Sequence, residues 1–260
     1  MFFDYFLIIE SLPEGETKTG NELYTSIIRR RAEQIGFGSR YVHINDFEEF
    51  KSLCGEIVSV CNDLNKFPLL HIEVHGSENF MHFASGEKIH WIIVSNFLSK
   101  INDLSKNNLF LVLASCYSIN LVRALNILTF PPFYLLIAPS GKVSPQNIEE
   151  GFVQFYEILI DGLKQGDRGK SFRKAMEALN EGGKPIFYMV TSEHEFERIW
   201  KEFRNQYDTI EKMNRIIDTV LSYSPIMHVS YEQFRKIMIT SLAHPEEAKD
   251  HFYRCFTGTI

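Results

Sequence analysis

Two residues in the sequence carry side chains that together could activate a nucleophile, and each closes an apolar run. His75, followed by Gly76, ends LLHIEVHG, and Cys116 ends LFLVLASC. A thiol with the ordinary pKa of about 8.5 is mostly protonated at neutral pH, and a neighbouring imidazole takes that proton and raises the thiolate fraction. The thiolate is the nucleophile. The imidazolium can then protonate the departing amine, so one ring serves both halves of an acyl transfer. Gly76 has a part in the same chemistry. Without a side chain its backbone N–H can approach a substrate carbonyl and, with the N–H of Cys116, donate into an oxyanion hole.

Such a pair works only if the fold brings two strand ends together, and the chain has the rhythm to do so. Apolar strands are expected at about 3–11, 40–46, 67–76, 108–118, 133–141 and 185–192, with a small hairpin over MHFASGEKI turning at Ser85-Gly86. Between them lie stretches of helical spacing. Leu23, Ile27, Ile28 and Ile35 mark one, which Gly36 and Gly38 end. Phe47, Phe50, Leu53, Ile57, Val58 and Cys61 mark a second, and Trp91, Ile92, Phe97 and Ile101 a third. Ser144-Pro145 has the form of an N-cap followed by proline at the first helical position, opening a helix to about Leu163, with another over 171–180. Strands apolar on both faces, alternating with amphipathic helices, predict an α/β fold with a mostly parallel sheet covered on both sides. In such sheets the chemistry gathers at the carboxyl ends of the strands, where His75 and Cys116 stand.

The composition narrows the classes of function. The chain has 260 residues, 45% hydrophobic and 23% charged, which is enough for one large domain or for a domain plus a smaller appendage. The net charge of -6 is spread without a basic stripe, which argues against a grip on nucleic-acid phosphates or an anionic membrane surface. MFFDYFLIIESL carries Asp4 and Glu10, lacks a basic leader and a small-residue cleavage site, and reads as a buried strand rather than a signal peptide. No apolar run reaches bilayer length. Four cysteines without short-range pairing fit a reducing compartment, so the expected location is cytoplasmic.

Each reactive residue also has a plainer explanation. Cysteine is among the most buried side chains, and Cys54, Cys61 and Cys255 read as packing. Of the nine histidines, His43, His82, His194 and His244 carry no motif. His71 shares a strand face with His75, but no carboxylate or cysteine completes a ligand set at a recognised spacing, so no metal and no cofactor are expected.

The order strand-His-Gly, hairpin, helix, strand-Ala-Ser-Cys, as in LLHIEVHG followed by LFLVLASCYS, resembles the caspase-like cysteine peptidases of clan CD, nearest their bacterial CHAT-type branch. The resemblance continues through FYLLIAPSGKVS and FVQFYEILIDGL and covers roughly residues 1–192. It implies the caspase–haemoglobinase fold, with a six-stranded sheet flanked by helices. It further implies Cys116 as nucleophile, His75 as general acid and base, and Gly76 with Cys116 as oxyanion donors. In the family the loop after the first strand walls the substrate pocket. Here that loop reads ESLPEGE, so Glu10 and Glu14, with Ser115, are expected pocket residues, and Glu10, Glu14 or Glu16 could select Arg or Lys. Two departures bear on specificity and activation. Metacaspases, which cut after basic residues, carry an acid two positions before the nucleophile where this chain has Ala114, and no aspartate-rich processing linker separates the fourth and sixth strands.

Residues 193–260 lie outside the resemblance and read as a helical extension packed on a peptidase domain of residues 1–192. Phe196, Trp200, Phe203, Tyr207, Ile210, Ile217 and Leu221 follow three-four spacing along one helix, which Pro225 ends. Ser230-x-x-Gln233 then resembles a capping box for a helix over Tyr231–Leu242, stopped by Pro245. The aromatic stripe reads as core or as the docking face of a regulatory protein. The function expected on these grounds is a cysteine endopeptidase acting on a protein or peptide substrate. The resemblance loosely implies a regulated role in bacterial defence or cell death. The alternatives are a non-catalytic caspase-like scaffold that binds a protein partner and, more distantly, an acyltransferase.

Overall fold

The computed structural model describes residues 3–166, 168–180, 185–212, 214–215 and 231–258. Its eight strands are β1 (Tyr5–Ser11), β2 (Gly38–His43), β3 (Pro68–Gly76), β4 (Phe80–His82), β5 (Lys88–His90), β6 (Phe110–Ala114), β7 (Leu135–Pro139) and β8 (Phe187–Thr191). Six of them form one continuous path in the order β2-β1-β3-β6-β7-β8. All neighbours on that path are parallel except β7 and β8, which are antiparallel. The expected count of six strands is therefore corrected to eight. The small hairpin expected beside the six strands joins the sheet, because the end of β3 pairs His75 with His82 and Gly76 with Met81 on β4.

Period-two alternation explains why the sheet is covered twice. Leu7 and Ile9 of β1, Leu70, Ile72 and Val74 of β3, and Leu111 and Leu113 of β6 enter one core with α3 (Phe47–Leu64) and α4 (Trp91–Leu104). Their neighbours in sequence, Phe6 and Ile8, Leu69, and Phe110, Val112 and Ala114, enter the other core. That core also takes up α1 (Thr19–Leu23), α2 (Arg29–Gln34), α5 (Pro145–Gln165) and α6 (Arg168–Leu179). A π-helical turn, Tyr24–Ile28, joins α1 to α2 and buries Ile27 and Ile28. Helix starts follow local chemistry. Asp46 caps α3 by accepting the N–H of Glu49 at 2.9 Å, and Ser144 caps α5 by accepting that of Asn147 at 3.1 Å, with Pro145 at the first helical position.

Residues after 192 contribute to the first core. Phe196, Ile199, Trp200 and Phe203 of α7 (Ser192–Gln206), Met238 of α8 (Tyr231–Ala243), and Ala248, Phe252 and Phe256 of α9 (Pro245–Thr257) are all buried in it. The single long helix expected to Leu221 ends instead at Gln206. Tyr207 leaves the helical region there, its N–H bonded to the Phe203 carbonyl at 2.9 Å. Ile217, Leu221, Pro225 and Ser230 lie outside the described residues. Pro245 does more than stop α8. It opens α9, where the missing N–H costs nothing and Glu246 and Glu247 sit favourably in the first turn. Among the described residues no helix is long and apolar enough to cross a membrane.

Candidate active site

The connection of β1 to β2 leaves on one side and that of β2 to β3 returns on the other, so the strand order reverses between β1 and β3. A crevice opens there beyond the carboxyl ends. A cleft of about 390 Å³ occupies it. Leu12, Gly15, Glu16 and Thr17 of the loop after β1, with Thr19 at the start of α1, supply one wall. Glu73, Val74 and His75 come from β3, Ala114, Ser115 and Cys116 from the end of β6, and Val143, Pro145 and Ile148 from the start of α5.

Parallel pairing of β3 with β6 sets Glu73 against Ala114 as its last pair. Two residues further on stand His75 and Cys116, both lining the cleft. The chain then turns sharply. Tyr117 takes a left-handed conformation (φ 59°), uncommon for a bulky residue, and its N–H is held by the Gly141 carbonyl at 3.0 Å. That turn lets Cys116 sit at the rim, half-buried, instead of continuing the strand into the protein. Sulfur there accepts the N–H of Val143 at 3.4 Å and lies 3.7 Å from the Val143 carbonyl. Val143 directly precedes Ser144, the N-cap of α5, so an anionic sulfur would meet the helix end whose dipole favours negative charge.

His75 is about half exposed, and its Nε2–H donates to Glu16 Oε2 at 2.7 Å. Gly76 is required by space rather than by backbone angle. A Cβ built on it would stand 2.2 Å from Ser115 Oγ and 2.5 Å from the Cys116 carbonyl oxygen, so the ends of β3 and β6 meet in contact. The other thiols do not line the cleft. Burial pushes Cys54 up to about 12, and burial then the Asp4 charge push Cys61 up to about 11, which leaves both protonated and inert at neutral pH. Burial also raises Cys255, which touches His251 at 3.5 Å on α9, and neither residue lines the cleft.

The expected pocket residues divide. Ser115 lines the cleft, its buried Oγ packed against Gly76 and without a hydrogen-bond partner among the described residues. Glu14 is exposed on the loop and does not line it. Glu10 is fully buried beneath the cleft, accepting the Gly20 N–H at 2.8 Å and the Tyr41 hydroxyl at 2.6 Å. Neither Glu10 nor Glu14 reaches the cleft, and the carboxylate of Glu16 is engaged by His75.

A buried polar floor was missed in the sequence. Glu73 accepts from the Thr19 hydroxyl and, at 2.9 Å, from His71 Nε2–H, while the Tyr156 hydroxyl donates to His71 Nδ1 at 3.0 Å. Burial and then the Glu73 charge raise Tyr156 well above its usual range, so its hydroxyl remains a donor and fixes the His71 tautomer. Among the described residues there is no group of three or more side chains suited to a metal ion, and His71 and His75 are engaged by different partners. The sign of this floor was in β3 itself: His71, Glu73 and His75 stand at period two in an otherwise apolar strand.

Glu10 yields a pH prediction. Burial raises its carboxyl above the ordinary value of 4.5, the donors Tyr41 and Gly20 lower it in part, and the Glu73 charge raises it. The folded state therefore binds this proton more tightly than the unfolded chain does. The stability it contributes is fully present at low pH and declines as pH rises from 4.5 through the raised value. Glu10→Gln is expected to gain on the natural protein across that window in denaturant titrations at a series of pH values. A natural protein that instead gains on the variant would mean that the two donors outweigh burial.

A scan against protein-family models finds none that matches the chain, and no curated protein matches it.

Proposed function

We propose that the protein is a cysteine endopeptidase of caspase-like type that cleaves a protein or peptide substrate with Cys116 and His75. The observation that carries the reading is the meeting of a half-exposed thiol and a half-exposed imidazole in one cleft. Each stands two residues beyond the last pair, Glu73 with Ala114, of the adjacent parallel strands β3 and β6, with Gly76 packed against the nucleophile's backbone. The Cys116 proton passes to His75, sulfur attacks the scissile carbonyl, and the thioester forms as the ring returns its proton to the departing amine. Water activated by the same ring then releases the acyl half. Gly76 and Cys116 N–H groups would steady the oxyanion in each step. A mostly parallel six-strand path within the eight-stranded sheet, with His75 and Cys116 at its carboxyl ends, supports the caspase–haemoglobinase reading.

A second reading, a caspase-like scaffold without catalysis, draws on one observation: sulfur is engaged by the Val143 backbone and His75 by Glu16, with no hydrogen bond between the two. One experiment separates the readings. The purified protein is incubated with a proteome-derived peptide library, and new chain termini are identified by mass spectrometry, with Cys116→Ser in parallel. The peptidase is expected to generate a consistent set of termini absent from the variant. Identical termini in both samples, or none in either, would favour the scaffold.

A further inference from the structure

Resting on the peptidase reading, we propose that Glu16 is a positioning residue of the site, completing a Cys116–His75–Glu16 chain. Its carboxylate fixes the His75 ring and balances the charge that ring acquires. A carboxylate only accepts hydrogen bonds, so the ring nitrogen 2.7 Å from Glu16 Oε2 is the protonated one. That is Nε2, and the basic lone pair is thereby left on Nδ1. The thiol proton goes to Nδ1, the imidazolium keeps Nε2–H on Glu16 without transferring it, and the Nδ1 proton leaves on the amine. Glu16 takes no proton at any step.

The chain's own loop is built to hold this carboxylate in place. Lys18 Nζ donates to the carbonyls of Leu12 and, at 2.9 Å, Pro13, and the Glu16 N–H reaches the Pro13 carbonyl at 3.4 Å. Gly15 supplies the left-handed turn between them (φ +85°). The loop is thus braced from within and touches the catalytic strand through Glu16. The same loop walls the cleft, so a substrate that presses on Leu12 or Thr17 bears on the residue that orients the base.

The test uses the full chain and a peptide cleaved by the natural protein. Glu16→Ala is expected to lower kcat about tenfold with KM within about twofold, the scale of one charge-assisted hydrogen bond. Sodium formate is expected to restore part of that loss, since the His75–Glu16 pair is about half open to solvent, and to restore nothing in His75→Ala. Glu16→Gln, which keeps the shape without the charge, serves if the alanine variant fails to fold. Lys18→Met is expected to show a smaller loss of the same kind. Turnover in the Glu16 variant within twofold of the natural protein, or a loss confined to KM and indifferent to formate, would overturn the proposal. If the natural protein cleaves nothing, the peptidase reading fails by itself. The rate of Cys116 alkylation by iodoacetamide then still decides for Glu16: slower in Glu16→Ala supports it, and equal rates overturn it.

Discussion

Cys116→Ala and His75→Ala, made separately, are each expected to lower turnover by on the order of a thousandfold or more, and the double variant is expected to lose no more than the worse single one. The reason is that on the peptidase reading sulfur and ring act as one unit. Without the ring the thiol stays protonated, and without sulfur the ring has no nucleophile to activate. Both side chains stand at the rim and are only partly buried, so neither truncation opens a core cavity and folding is expected to be preserved. Steady-state rates beside melting curves of all four proteins check this. Losses that multiply in the double variant would mean independent roles, and a Cys116→Ala protein as active as its parent would end the assignment of the nucleophile.

Gly76→Ala is the other change with a large expected effect. The added methyl would lie 2.2 Å from Ser115 Oγ and 2.5 Å from the carbonyl oxygen of Cys116. A serine hydroxyl can rotate away, but a backbone carbonyl at a strand end moves only with its chain. Overpacking of this kind costs about 1–3 kcal/mol. The displaced backbone is that of the proposed nucleophile, and a misplacement of about 1 Å at a reacting group lowers rate by roughly a hundredfold. Adding Ser115→Ala to Gly76→Ala removes one of the two clashes and is expected to recover stability in part, with little recovery of turnover. Thermal unfolding and kcat/KM of the single and double variants measure both effects. A Gly76→Ala protein with unchanged melting and turnover would show that the two strand ends are too far apart for this clash.

What the sequence made legible follows from range. β3 and β6 were readable because burial on both faces leaves an unbroken apolar run, and the places of His75 and Cys116 at their carboxyl ends followed from where those runs stop. The start of α5 was visible in Ser144-Pro145, a signal contained in two adjacent residues. Contacts across long separations were not visible. Glu16 stands 59 residues before His75, and Tyr156 stands 85 after His71, so no local pattern ties either pair together. Three loop acids looked interchangeable in ESLPEGE, yet the fold buries Glu10, leaves Glu14 in solvent and turns Glu16 onto the ring. Proline misled in the tail for a related reason: Pro245 ends one helix and begins the next, and both roles leave the same residue in the sequence.

The central claim is that Cys116 attacks a bound carbonyl with His75 as its base, and covalent trapping tests it most directly. The protein and His75→Ala are treated with a set of peptidyl acyloxymethyl ketones differing in the residue next to the warhead, digested, and mapped by mass spectrometry. The expected result is a thioether on Cys116 that depends on the peptide sequence and is lost in His75→Ala. Labelling of Cys54, Cys61 or Cys255 in its place, or equal labelling of Cys116 with and without the imidazole, would contradict the account.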